Sequence, residues 1–120
     1  MAWDDATRVC VARVTPGATL GGDDGLALVG AIERWIGENP AAFGVLADGG
    51  GGHQTDRDYR AALSRYFRKR IDVAYVAFFG LDAVLRVTVE MLQVGTGMKL
   101  TVVEDEAAAR AWLAGHGFRT

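Results

Sequence analysis

From residue 8 to residue 105 the chain alternates short valine-rich runs with longer segments whose apolar residues recur every three or four positions. "RVCVARV" (8–14), "FGVLAD" (43–48), "IDVAYVAFFG" (71–80) and "KLTVVED" (99–105) are short and rich in β-branched or aromatic residues, so each predicts a strand. The third is apolar on both faces, as a central strand in a covered sheet would be. "TPG" after the first strand reads as a turn. Asp23 to Asn39 carry Leu28, Ile32, Trp35 and Ile36 at helical spacing, with Asp23 and Asp24 at the start and Pro40 barring continuation. A second helix starts at Thr55, which stands at capping-box spacing from Asp58, and turns Tyr59, Leu63, Tyr66 and Phe67 inward. Residues 81 to 94 form a third helix. "EAAARAWLAGHG" forms a fourth, with Asp105 as its cap and Gly115 or Gly117 near its end. The order β-α-β-α-β-α-β-α predicts one α/β domain over residues 1–120, a four- to five-stranded, mostly parallel sheet with packed helices.

The third helix departs from the usual pattern. Its charges, Asp82, Arg86 and Glu90, fall at i, i+4 and i+8 and leave nearly every other position apolar. A helix apolar almost all round is covered on more than one side. That predicts a partner surface, with a second copy of the chain as first choice and Leu85, Val89 and Leu92 as the dimer interface. A neighbouring helix of the same chain and a lipid tail are the alternatives.

Composition narrows the function classes. The 120 residues are 50% hydrophobic and carry a net charge of −2, with pI ≈ 5.6, so there is no global attraction to nucleic acid or anionic membrane. The one cysteine, Cys10, excludes an internal disulfide and fits a reducing compartment. "MAWDDATRVC" lacks the basic-then-apolar pattern of a secretory signal. The most apolar helix, "LDAVLRVTVEMLQV", is too short and too charged to span a bilayer. A cytoplasmic protein without a membrane span is expected.

Candidate chemistry centres on "FGVLADGGGGHQTDRDYR". The glycines lack the Gly-Lys-Ser/Thr ending of a phosphate-binding loop and the spacing of a dinucleotide fingerprint. They do precede a helix start, where an anion-binding nest can form, and they follow Asp48 at the carboxyl end of a strand. His53 and His116 have no companion ligand at metal spacing, so no metal and no cofactor is expected. Cys10 sits within a strand and reads as core. Asp48, His53 and Ser64 can be written as a triad, but Ser64 has no elbow motif. An aspartyl phosphorylation site at Asp48 lacks a suitably placed acidic pair. A non-enzymatic protein is expected. Arg57, Arg60, Arg65, Arg68, Lys69 and Arg70 outweigh Asp56 and Asp58 on the second helix, with the bases toward its end as the helix dipole favours. A solvated face explains that pattern, and an acidic protein partner is its second use.

The early valine-rich strand, "FGVLAD", the helix ending "YFRKR", "IDVAYVAFFG", "LRVTVEMLQVGTGMKLTVVED" and the closing "EAAARAWL" together resemble the STAS-like domains. More narrowly, the layout is similar to the SpoIIAA-like, anti-sigma-factor-antagonist-like small bacterial proteins. The resemblance implies a regulatory module that binds a protein partner, such as an anti-sigma factor or a kinase-like regulator. It also implies a hydroxyl at the start of the helix after the second core strand as phosphosite. Here that hydroxyl is Thr55, in "QTDRD", without the usual Asp-Ser-Ser-Gly pattern. The expected recognition surface is then a flexible 48–60 loop and the helix that follows it, with Asp48, His53, Gln54, Thr55 and Asp56 as partner-binding residues. The alternative is a carrier of a lipid or other small hydrophobic ligand, motivated by the surplus apolar surface of the third helix.

Overall fold

The four valine-rich segments pair side by side in the computed structural model, which describes residues 2–4, 6–37, 41–52 and 54–118. They are β2 (Val9–Arg13), β4 (Phe43–Asp48), β6 (Ala74–Phe79) and β7 (Lys99–Val102), all parallel. A strand the sequence did not announce, β1 (Ala2–Asp4), adds antiparallel to β2 and completes a five-stranded sheet in the order β1-β2-β4-β6-β7. Three residues with one large apolar side chain carry too weak an alternation to be read from sequence. Stacking of Trp3 on Trp35, with ring centroids 6.1 Å apart, helps hold β1 in place.

Helices α1 (Gly22–Ile36), α2 (Arg57–Lys69) and α3 (Ala83–Thr96) connect successive strands. Each connection steps to the next neighbour in the same direction, so crossovers of one hand place all three on one face. α4 (Glu106–Gly115) follows the last strand and covers the opposite face. The alternation along each strand divides the apolar residues between these layers. Cys10, Val45 and Val76 meet Ile32, Ile36 and Phe67 on the first face. Val9, Leu46, Ala77 and Phe79 meet Ala109, Leu113 and Phe118 on the second. Both faces of β4 and β6 are covered, as the apolar "IDVAYVAFFG" required.

Helix ends follow the expected chemistry with one correction. Asp82 and Asp105 cap α3 and α4, accepting from the Leu85 and Ala108 N–H groups at 2.8 Å. α2, however, is capped by Asp56 and not by Thr55: Asp56 Oδ1 accepts the Tyr59 N–H at 2.8 Å. Thr55 is held extended instead, because Gln54 and Thr55 form a short strand, β5, parallel to β3 (Thr19–Leu20). The pairing moves the first helical residue to Arg57. α1 ends at Ile36, with the Gly37 N–H donating to the Glu33 carbonyl; Asn39 and Pro40, expected to end it, lie outside the described residues.

Candidate ligand-binding cavity

The four glycines close a corner. The N–H of Gly49 donates to Phe79 O, that of Gly50 to Asp48 Oδ1, that of Gly51 to Gly80 O, and that of Gly52 to Gly49 O. These donors are spent within the protein, which leaves no nest of free N–H groups for an anion. A Cβ on Gly49 would stand 2.6 Å from Leu81 Cδ2 and 2.8 Å from the Gly80 carbonyl oxygen, and one on Gly50 would collide with the Val14 carbonyl oxygen. Gly50, Gly51 and Gly52 have φ of +67°, +85° and +150°. The run therefore lets three strand-end segments approach one another. The expected flexible loop is a packed junction at this point.

Beyond that junction, on the α1–α3 face, lies an apolar cavity of about 390 Å³. Its floor is one face of the three central strands: Ala12 and Val14, Val45 and Ala47, Val76 and Phe78. Ala12, Ala47 and Phe78 stand in register across the sheet, so two of three positions in that row are small. α1 and α2 pack closely, with Gly25 against Ala62 and the Tyr59 backbone. α3 rests chiefly on β7, and its Gln93 amide donates to the Leu100 carbonyl at 2.8 Å. Space is thereby left between α2 and α3, walled by Tyr59, Leu63 and Phe67 on one side and Leu85, Val89 and Leu92 on the other. An outer cleft of about 710 Å³ shares Thr55, Arg60, Leu85, Thr88 and Met91 with the cavity and adds Gln54, Asp82 and Val84.

This position, against the carboxyl ends of β2, β4 and β6, is where open α/β sheets place ligands. No reversal of strand order creates it; α3 standing away from α2 does. No family model, no curated protein and no solved structure matches this chain. The site is read from its own geometry.

The structure brings several of the sequence-selected residues to this rim. Asp48 and Thr55 line the cavity and Gln54 lines the outer cleft, whereas Asp56 is occupied as the α2 cap. His53 lies outside the described residues. Leu85, Val89 and Leu92, expected at a dimer seam, are half-buried and turned toward the cavity. The exposed large apolar side chains of α3 are Val84, Val87, Met91 and Val94, at 76%, 55%, 69% and 88% exposure, with Val84 and Met91 at the edge of the outer cleft. Sequence reasoning passed over Arg60, which merged into the basic run of α2. It also passed over the floor positions Ala12, Ala47 and Phe78; their signal was small residues in adjacent strands on the face opposite α4.

Charge at the rim is mostly committed. Asp48 Oδ1 takes the Gly50 N–H at 2.8 Å, and its Oδ2 takes Arg13 Nη1 at 3.1 Å. Arg13 also reaches Glu106 Oε1 at 2.7 Å, and Glu106 Oε2 accepts from Arg110 Nε at 2.9 Å. Hydrogen bonds from Arg13 and then Arg110 hold the Glu106 carboxyl below its ordinary value. This chain of charges pins β2, β4 and α4 together. Ser64 lines the cavity, but Asp48 is engaged elsewhere. Cys10 is fully buried and its thiol is pushed up to about 11, chiefly by burial, so it stays protonated at neutral pH. Among the described residues no group of His, Cys, Asp and Glu could hold a metal ion, and no helix is long and apolar enough to cross a membrane.

Proposed function

We propose that this chain is a non-catalytic binding module for a small hydrophobic molecule, held between the sheet and α3. The observation that carries this reading is the apolar cavity of about 390 Å³ under a helix with no fully buried residue. Small-molecule sites have this character: concave, largely apolar, with a few polar groups at one end, and about 300–1,000 Å³ in volume. Ala47→Phe fills the cavity from its floor. Isothermal titration with 1-dodecanol is expected to show one molecule per wild-type chain and none for the variant, whose thermal midpoint does not fall. Absence of dodecanol binding to the wild type would overturn the reading, as would undiminished binding to Ala47→Phe.

A second reading, a regulatory module similar to the STAS-like antagonists, is favoured by one contact. Arg60 Nη1 donates to Thr55 Oγ1 at 3.0 Å and to the Thr55 carbonyl at 2.7 Å, so a phosphoryl group on Thr55 would meet a guanidinium. In this reading Gln54 and Thr55 at the rim contact a protein partner, and the chain pairs with a second copy through α3. The side chains available for that pairing are Val84, Val87, Met91 and Val94, spaced three and four apart, because Leu85, Val89 and Leu92 face inward. Native mass spectrometry of protein from its own source cells tests the reading. A dimer carrying one phosphoryl group that maps to Thr55 is the expected result, and an unmodified monomer discards it.

A further inference from the structure

We propose that the cavity takes a single-chain aliphatic carboxylate, its hydrocarbon over the sheet and its carboxylate held at the rim by Arg60. The inference rests on the reading that the cavity binds a hydrophobic molecule, and it names the class of that molecule.

Two charged residues line the cavity, Asp48 and Arg60, and two line the outer cleft, Arg60 and Asp82. Arg60 belongs to both and so marks the point where the apolar interior meets the polar mouth. The two acids have structural work. Asp48 is taken by Gly50 and Arg13, and Asp82 Oδ1 by the Leu85 N–H at the start of α3. Arg60 differs: among the described residues its acceptors, the Thr55 carbonyl and hydroxyl oxygens, are both neutral and both served by Nη1. Among the described residues it forms no ion pair, while Arg13, Arg86 and Arg110 each have a carboxylate. A guanidinium offers five N–H donors in a planar fork that matches a carboxylate. The bonds to Thr55 hold that fork at the rim and leave donors over for a guest.

The apolar part of the guest follows from the floor and walls. Alanine, valine, leucine and phenylalanine make up most of the floor and walls, with hydroxyls only at Thr55, Tyr59, Ser64 and Thr88, so a ring or sugar bearing several hydroxyl groups would be desolvated with little compensation. The volume lies at the small end of ligand sites, which suits one hydrocarbon chain and not two. A cationic head would be repelled by Arg60, and a neutral head would accept a hydrogen bond from it without forming an ion pair or a two-pronged contact.

The test uses the full chain and three probes below their micelle concentrations: dodecanoate, 1-dodecanol and dodecyltrimethylammonium. Calorimetry is expected to show dodecanoate bound about tenfold more tightly than dodecanol, the size of effect a hydrogen bond to a charged group supports. Dodecyltrimethylammonium binds most weakly. Arg60→Gln is expected to erase the preference while dodecanol affinity stays within about twofold, and Arg60→Lys to retain part of it, since the charge remains and the fork is lost. Should Arg60→Gln not fold, the same preference is read in the wild type as a steep loss of dodecanoate affinity, but not of dodecanol affinity, with added salt. Equal binding of the acid and the alcohol, a preference that survives Arg60→Gln, or a preference for the ammonium probe overturns the inference and leaves the cavity reading standing. If no probe binds, both fall.

Discussion

Gly50 and Gly51 show how much a single side chain can decide in this protein. Both have left-handed φ, so any L-residue there is strained, at roughly 1–2 kcal/mol. At Gly51 nothing lies within 4 Å of an added Cβ, and strain is the whole effect. At Gly50 the Val14 carbonyl occupies the space and Pro16 closes in behind it. Gly50→Ala is therefore expected to destabilise by about 2 kcal/mol more than Gly51→Ala, measured as a shift in urea midpoint at constant slope. Equal losses would mean that the run is slack chain and not a packed corner. Because this corner carries Leu81 and leads directly into α3, its packing also sets where the outer cavity wall begins.

At the scale of the element, the start of α2 separates two roles that sequence spacing had merged. Asp56 closes the helix by accepting the Tyr59 N–H, and Thr55 serves the short β3–β5 pairing and Arg60. Loss of an N-cap costs about 1 kcal/mol. Asp56→Ala is expected to lower stability by that amount, and Thr55→Ala by about 0.5 kcal/mol, the low end for one hydrogen bond lost at a half-buried hydroxyl while the backbone pairing of β5 remains. Chemical denaturation of the two variants side by side decides between them, and the reverse order would restore Thr55 as the cap. The same registration of β5 fixes where Tyr59, Arg60 and Leu63 emerge. The first turns of α2 thus place both the rim charge and part of the apolar wall.

On the scale of the whole molecule, stability is distributed unevenly across the sheet. Residues 43–46 of β4 are all buried, and β6 is covered on both faces, while α3 has no fully buried residue and rests chiefly on β7. Elements with few buried apolar contacts open at low free energy, and central strands open only with the global transition. Hydrogen exchange is expected to reach the amides of 83–96 first among the helices and those of β4 and β6 last. One equivalent of a cavity ligand is expected to slow α3 selectively, because the ligand binds the closed arrangement and not the opened one. Uniform exchange across the helices, or protection by ligand confined to α4, would contradict this distribution.

The local sequence made legible the alternation of strand and helix, the parallel central strands and the Asp105 cap of α4. Each depends on residues within about a turn of one another: apolar period, an aspartate at a helix start, β-branched runs. It also showed that the 81–94 helix carries more apolar surface than a monomer's outer helix should. What that surface meets depends on long-range packing. Leu85, Val89 and Leu92 line a cavity, Val87 and Val94 are exposed, and Met91 is exposed at the cavity edge, with α3 resting chiefly on β7. Long-range pairing likewise added β1 beside β2, drew Thr55 into β5 and turned the glycine run into a packed corner. Arg60 gained its place at the rim in the same way. Its neighbours there come from strands and helices distant in sequence, and no local period records such a meeting.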